Sequence, residues 1–294
     1  QTYPILFVLE RGTPELIILA LMSGGLYLLR AGRWGWAAVL FALATHLKLY
    51  PLILGSFVLL RGGPRATLWF IAMVLALFPV LGVEALRDFA DTLTGTIVDP
   101  TRWIWPGNHS IRSFAQWAAQ EDWFPRKYIN LISLAVNLAL LAVFVAFLLA
   151  TYAARGERPG GRFGVRELAL IGMAFALMSL VPTFSHDYKL TIQFVPFLLL
   201  ITSTEADDAA RRSNTVRNVC IALAVLVAFL FAPLVRVPKT SFLLPVFAAY
   251  AALWVVVKRH PADLAAGRSG ELPEPSSEVP ASLSTEGPAT TISA

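Results

Sequence analysis

Charged residues and cysteine are both scarce in this sequence. Charged side chains make up 15% of its 294 residues, whereas soluble domains carry about a quarter. Cys220 is the only cysteine, which excludes an intrachain disulfide and a cysteine-rich metal site. The sequence also has no P-loop, nucleophile elbow, zinc-ligand spacing or GxGxxG motif, so the signatures of many soluble enzymes are missing.

Long apolar runs separate the few charged residues. Hydrophobic residues make up 56% of the chain, and the mean hydropathy is +0.64. A signal peptide would explain only one N-terminal run. Because backbone polar groups in lipid need partners within the same segment, these runs predict helices and not strands. We therefore predict an all-α, polytopic transmembrane helix bundle. The runs lie near 14–29, 34–47, 51–60, 66–82, 128–152, 167–183, 189–203, 217–235 and 240–257.

The stretch 34–60 fits either one long span or two short spans that meet near Lys48. One span would separate the arginines before residue 34 from those after residue 60, whereas two spans keep them on one side. Pro51 cannot donate a backbone hydrogen bond and disfavours a helical Tyr50. A lysine in the middle of a span would also be costly. We therefore predict a break at Lys48–Pro51.

Basic residues then collect at one end of the predicted spans, which the positive-inside rule assigns to the cytoplasm. Residues 261–294 carry five acids and one arginine, a net −4, so the overall +5 leaves +9 on residues 1–260. Such an excess favours loops facing anionic lipid over a nucleic-acid partner. Residues 1–260 are thus predicted to form the transmembrane domain. Residues 261–294, rich in Pro, Ser, Gly, Glu and Thr without an aromatic residue, are predicted to be a disordered cytoplasmic tail.

The long segment 83–127 contains four of the eight tryptophans. Apolar residues recur in it at helical spacing, for example at Ile111, Phe114, Ala115 and Ala118. We expect short amphipathic helices in the outer interface; a solvated loop is the alternative.

Several polar residues that are not typical of ordinary loops lie at the predicted outer face. Such residues near membrane depth are candidates for function. Arg11, Lys48 and Lys189 suit a phosphate or pyrophosphate, because cations form charge-assisted hydrogen bonds with phosphate oxygens. Alternatively, each of them can reach water from a helix end or pair with a carboxylate. Asp187 beside His186 can act as a general base, or the two can form an ordinary surface turn. The other candidate substrate-binding residues are Glu10, His46, Tyr50, Asn108, His109, Ser110 and Tyr188.

Four segments in order resemble glycosyltransferase family 87 of the C-type superfamily. They are FVLERGTPELIILAL, LFALATHLKLYPLILGSFVLLRGGPRA, GNHSIRS and SHDYKLTIQFVPFLLL, between residues 7 and 200. The resemblance implies a multi-helix enzyme of the bacterial plasma membrane with an extracytoplasmic active site. It implies transfer of mannose or arabinose, with inversion, from a polyprenyl-phosphate donor to a cell-envelope glycan or glycolipid.

The resemblance places Arg11, Lys48, Asp187 and Lys189 at motif positions of the family. We expect the three cations at the donor phosphate, and Asp187 is the remaining carboxylate for catalysis. Thr13 stands where the family has Asn. C-type transferases keep an essential acid in the first outer loop, and since the sequence starts at Gln1, we expect that acid to precede it. We predict no metal site and no resident cofactor, with a divalent cation left open. A transporter or flippase of a lipid-linked or anionic substrate is the alternative function, and it predicts inverted repeats. A second alternative is another envelope enzyme, such as a ligase that joins lipid-linked glycans.

Overall fold

The computed structural model describes residues 14–81, 108–154, 163–182 and 240–258, together with isolated positions or pairs of positions between 84 and 218. All regular structure in these ranges is helical. The helices are α1 Glu15–Arg30, α2 Trp34–Leu47, α3 Gly55–Leu81, α4 Ile111–Gln120, α5 Ile129–Ala153, α6 Val165–Leu180 and α7 Thr240–Lys258, with 3-10 turns at Tyr50–Leu54 and Arg126–Tyr128.

Helices α1 and α2 form an antiparallel hairpin. The chain turns at Gly32, whose φ of 75° is a conformation that glycine adopts without steric cost. A Cβ atom on Gly25 would overlap the ring of Phe41, so the missing side chain lets the two helices pack closely. Glu15 at the start of α1 therefore lies near the end of α2.

Helix α3 reverses direction at Gly63, whose backbone is non-helical with φ 74° and ψ −170°. A Cβ atom on Gly55 would overlap the ring of Phe70, although 15 residues of continuous helix would separate the two by about 22 Å. The segment before Gly63 (the first arm of α3) and the segment after it (the second arm) therefore lie side by side. The predicted runs 51–60 and 66–82 correspond to these two arms.

Helices α5, α6 and α7 extend the same core. Arg61, beside the reversal of α3, pairs with Glu167 in the first turn of α6. Arg166 lies over the ring of Trp254 near the end of α7, at 5.3 Å from the ring centroid. Trp254 Nε1 donates to Thr151 Oγ1 near the end of α5 at 2.8 Å. These contacts bring the start of α6 and the ends of α5 and α7 to the level of the α3 reversal.

The bundle consequently has two chemically different ends. One end, here called the arginine end, carries Arg30, Arg33, Arg61, Arg65 and Arg166. The opposite end, here called the lysine end, holds Glu15, Lys48 and the start of α5. Helix α4 belongs to the lysine end, because it packs against α5 and is joined to its start by residues 121–128.

Among the residues that the structure describes, two helical segments are long and apolar enough to cross a membrane by length and composition, Tyr50–Leu77 and Arg126–Ala153. The second bears large apolar side chains that face outward along its length, with Leu131 63% and Leu149 56% exposed. An apolar flank of this extent is suited to lipid and not to water. The first includes the reversal at Gly63, so its two arms are shorter than the segment as a whole.

The polytopic arrangement of nine apolar runs stays a prediction. The runs 14–29, 34–47, 128–152, 167–183 and 240–257 coincide with helices, and the helix break appears where it was predicted. The runs 189–203 and 217–235 lie outside the described residues apart from isolated positions or pairs of positions, and the tail 261–294 lies outside them altogether. In segment 83–127, the amphipathic helix predicted from Ile111, Phe114, Ala115 and Ala118 is α4.

Candidate functional site

The break between α2 and α3 is a turn with a defined backbone geometry. Helix α2 ends at Leu47, and Lys48 adopts an extended backbone with φ −155° and ψ 141°. Pro51 then occupies the first turn of the 3-10 segment Tyr50–Leu54, where its missing N–H costs nothing. The extended Lys48 and the proline together stop α2 and turn the chain into the first arm of α3.

His46 fixes the end of α2 to the second arm of α3. Its Nε2 lies 2.7 Å from the carbonyl oxygen of Val74. Since a carbonyl only accepts hydrogen bonds, this ring nitrogen carries the proton and donates. His46 therefore has a structural contact that holds the turn in place, and its predicted role in substrate binding stays a prediction.

Lys48 forms an ion pair with Glu15, which is not among the candidates predicted from the sequence. Lys48 Nζ lies 3.4 Å from Glu15 Oε1; the lysine side chain is 34% exposed and the glutamate side chain is fully buried. The pair joins the turn after α2 to the first turn of α1. Lys48 thus has its ammonium beside a buried carboxylate while part of its side chain remains accessible.

Glu15 could have been noticed as an acid at the start of an apolar helix. An acidic residue in a first turn is usually explained by the helix dipole, so nothing in the local pattern distinguishes Glu15 from an ordinary helix start. Its burial and its pairing with Lys48 come from the antiparallel packing of α1 on α2.

The predicted loop residues Asn108, His109 and Ser110 are all buried. Ser110 is the N-cap of α4, and its Oγ accepts a hydrogen bond from the backbone N–H of Ser113 at 3.1 Å. Asn108 Oδ1 accepts from the N–H of Ser110 at 3.2 Å. These bonds give Asn108 and Ser110 a local role in starting the helix. Their predicted role in substrate binding is not tested by these contacts.

Three aromatic rings cluster on α4 and the turn that follows it. Trp117 contacts Phe114 at 5.6 Å and Trp123 at 5.3 Å between ring centroids. Trp123 is 64% exposed. The cluster gives the lysine end an aromatic surface next to Arg126 and Lys127, an arrangement typical of a membrane interface.

Several predicted site residues fall outside the described residues. Of the candidates, Lys48, His46 and Tyr50 share one turn, and Asn108, His109 and Ser110 belong to the same end of the bundle. The convergence of the complete set therefore stays a prediction. The residues outside are Glu10, Arg11, His186, Asp187, Tyr188 and Lys189.

No group of three or more His, Cys, Asp or Glu side chains that could hold a metal ion occurs among the described residues. At the turn after α2, the charged groups that the structure brings together are Lys48 and Glu15. These groups suit an anion at Lys48 and hydrogen-bond donors at Glu15.

At the arginine end, a second glutamate has a clearly structural role. Glu167 accepts two hydrogen bonds from Arg61, at 2.7 and 2.6 Å. It also accepts one from the backbone N–H of Gly164 at 2.9 Å. The Arg61 guanidinium in addition lies over the ring of Phe163, 4.7 Å from its centroid. This network ties α3 to the start of α6.

Comparison with known proteins identifies the family. The model of glycosyltransferase family 87 matches residues 2–185, a segment that contains α1 to α6 and the Glu15–Lys48 pair. No curated protein and no solved structure matches the chain. The apolar flank and the spanning length of α5 agree with a membrane location. The chain belongs to glycosyltransferase family 87, and its general class is that of a membrane glycosyltransferase.

Proposed function

We propose that the protein transfers a hexose or pentose, with mannose or arabinose as first candidates, from a polyprenyl-phosphate donor. The acceptor would be a cell-envelope glycan or glycolipid at the extracytoplasmic face. Family membership supports sugar transfer in general. The observation that carries the choice of donor is the position of Lys48, which is partly exposed in a turn at the lysine end, opposite Arg30, Arg33, Arg61 and Arg65.

The separation of charge supports the proposed orientation. Four arginines in the loops between α1 and α2 and around Gly63 lie at one end, which the positive-inside rule would place in the cytoplasm. Lys48 and the start of α5 would then face the outside. A membrane-bound lipid phosphate at that face would meet Lys48 without crossing the apolar layer.

The reaction follows from this placement. An acceptor hydroxyl loses its proton to a carboxylate, for which Asp187 is our candidate in this chain, and its oxygen attacks the anomeric carbon of the donor. The bond between that carbon and the phosphate oxygen breaks, and the lipid phosphate leaves with the electron pair. Attack opposite the leaving group inverts the configuration. Lys48, with Arg11 and Lys189 as proposed partners, would stabilise the charge that develops on the phosphate.

The test uses membranes that contain the full-length protein and radiolabelled polyprenyl-phosphate mannose or arabinose. Loss of one charge-assisted contact in the transition state costs about 1.5–3 kcal/mol, so Lys48→Ala and Lys189→Ala should each lower transfer roughly 10- to 150-fold. Lys127→Ala is the matched control, because Lys127 is an exposed cation at the same end and should leave transfer unchanged.

Two results would contradict the proposal. Wild-type transfer in both Lys48→Ala and Lys189→Ala would remove the assigned phosphate site. Movement of label across the membrane without formation of a new glycosidic bond would favour a transporter or flippase.

A further inference from the structure

The glutamates in the first turns of α1 and α6 differ in how completely their carboxylates are hydrogen-bonded. Glu167 accepts three hydrogen bonds, two from Arg61 and one from Gly164. Glu15 is fully buried, yet neither of its carboxylate oxygens has a hydrogen-bond partner in the structure. Its one ionic contact among the described residues is Lys48 Nζ at 3.4 Å.

This difference leaves Glu15 with unused capacity to accept hydrogen bonds. A carboxylate offers about four lone-pair sites, and a buried charge is costly unless it is both paired and hydrogen-bonded. The ammonium of Lys48 supplies the opposite charge but fills only part of that capacity. The contacts of Glu167 with Arg61 and Gly164 show that a carboxylate with a structural role in this chain accepts three hydrogen bonds.

We infer that Glu15 accepts hydrogen bonds from hydroxyl groups of the donor sugar while Lys48 holds the adjoining phosphate. The inference rests on the proposed function and names the sugar-binding group of that site. A cationic ligand would be repelled by Lys48, and a simple anion would be repelled by Glu15. A sugar phosphate carries an anion and neutral hydroxyl donors side by side, which matches a cation and a carboxylate side by side.

Removing the charge of Glu15 tests the inference, because it should lower the affinity for the sugar-bearing lipid but not the affinity for the sugar-free lipid. Glu15→Gln keeps the shape of the side chain but weakens it as an acceptor and removes its negative charge. Affinity for polyprenyl-phosphate mannose should therefore fall, on the order of 10-fold or more for loss of a hydrogen bond to a charged group. Affinity for sugar-free polyprenyl phosphate should stay constant or rise, because a negative charge beside Lys48 is gone.

Both lipids would be titrated against the purified full-length protein in lipid nanodiscs. Glu121→Gln is the matched control, since Glu121 is an exposed acid at the same end of the bundle, and both affinities should be unchanged in it. Glu15→Asp is the second variant if the glutamine variant fails to fold. It retains the charge but shortens the side chain by one methylene, so only the sugar-dependent part of the affinity should fall.

Each remaining outcome has one meaning. Equal weakening of both lipids by Glu15→Gln would mean that Glu15 only positions Lys48, and it would overturn the inference while leaving the proposed donor intact. Unchanged affinity for both lipids would overturn it as well. A wild-type protein that binds neither lipid would overturn the proposed function first, and the inference with it.

Discussion

Removing Lys48 should destabilise the protein more than removing Glu15, although both changes break the same ion pair. Lys48→Met leaves the Glu15 carboxylate fully buried without its cation, whereas Glu15→Gln leaves a lysine whose side chain is 34% exposed and can turn toward water. Breaking a buried pair by removing one partner costs about 3–5 kcal/mol. Because this pair is accessible on the lysine side, we expect roughly 2–3 kcal/mol for Lys48→Met and below about 1 kcal/mol for Glu15→Gln.

The double variant completes the argument. With Lys48→Met and Glu15→Gln combined, the uncompensated charge is gone, so stability should return to within about 1 kcal/mol of the wild type. Sugar transfer should nevertheless stay low, because the phosphate contact is still missing.

The assay is thermal unfolding of the four proteins in detergent without donor lipid, together with transfer activity in membranes. A loss of 2–3 kcal/mol corresponds to a fall of roughly 4–10 °C in the unfolding midpoint. The reasoning is refuted if Lys48→Met and Glu15→Gln have equal midpoints, or if the double variant is no more stable than Lys48→Met alone.

Two further predictions concern the packing that supports the site. Glu167→Ala should lower the free energy of unfolding by about 2–4 kcal/mol, because Arg61 is 6% exposed and loses both of its hydrogen bonds to Glu167. In the same thermal assay, adding Arg61→Leu to Glu167→Ala should restore part of the loss. Further destabilisation by Arg61→Leu would contradict the pairing. Gly172→Ala should cost about 1–3 kcal/mol, because its new Cβ would overlap the buried ring of Tyr250. Gly35→Ala is its control: nothing lies within 4 Å of that position, and a midpoint as low as that of Gly172→Ala would argue against the packing.

Much of the helical framework could be predicted from the sequence, since it follows from local chemistry. Pro51 and Lys48 mark the break after α2 by their own backbone and charge preferences. The Arg61–Arg65 segment, with its two glycines and a proline, marks the reversal within α3. Ser110 is a preferred N-cap residue, and α4 begins directly after it.

The contacts of the candidate site residues could be predicted less well from the sequence. Glu15 has the sequence context of any first-turn acid, and only the packing of α1 against α2 buries it beside Lys48. Asn108 and Ser110 illustrate the reverse case, because polar residues chosen as substrate ligands also serve as capping groups. A local pattern shows that a polar residue is unusual but not which distant group it meets.

The reversal at Gly63 has a consequence for how the chain enters a bilayer. Helix α2 and the first arm of α3 form a hairpin whose tip is the segment 48–54, and Lys48 is the only charged residue in that tip. Insertion with this tip leading would carry one charge across the apolar layer and leave Arg61 behind on the side of entry. Glu15 lies at the same end of the bundle as Lys48 and supplies its counter-charge there. The ion pair therefore lowers the free-energy cost of placing either charged group next to lipid.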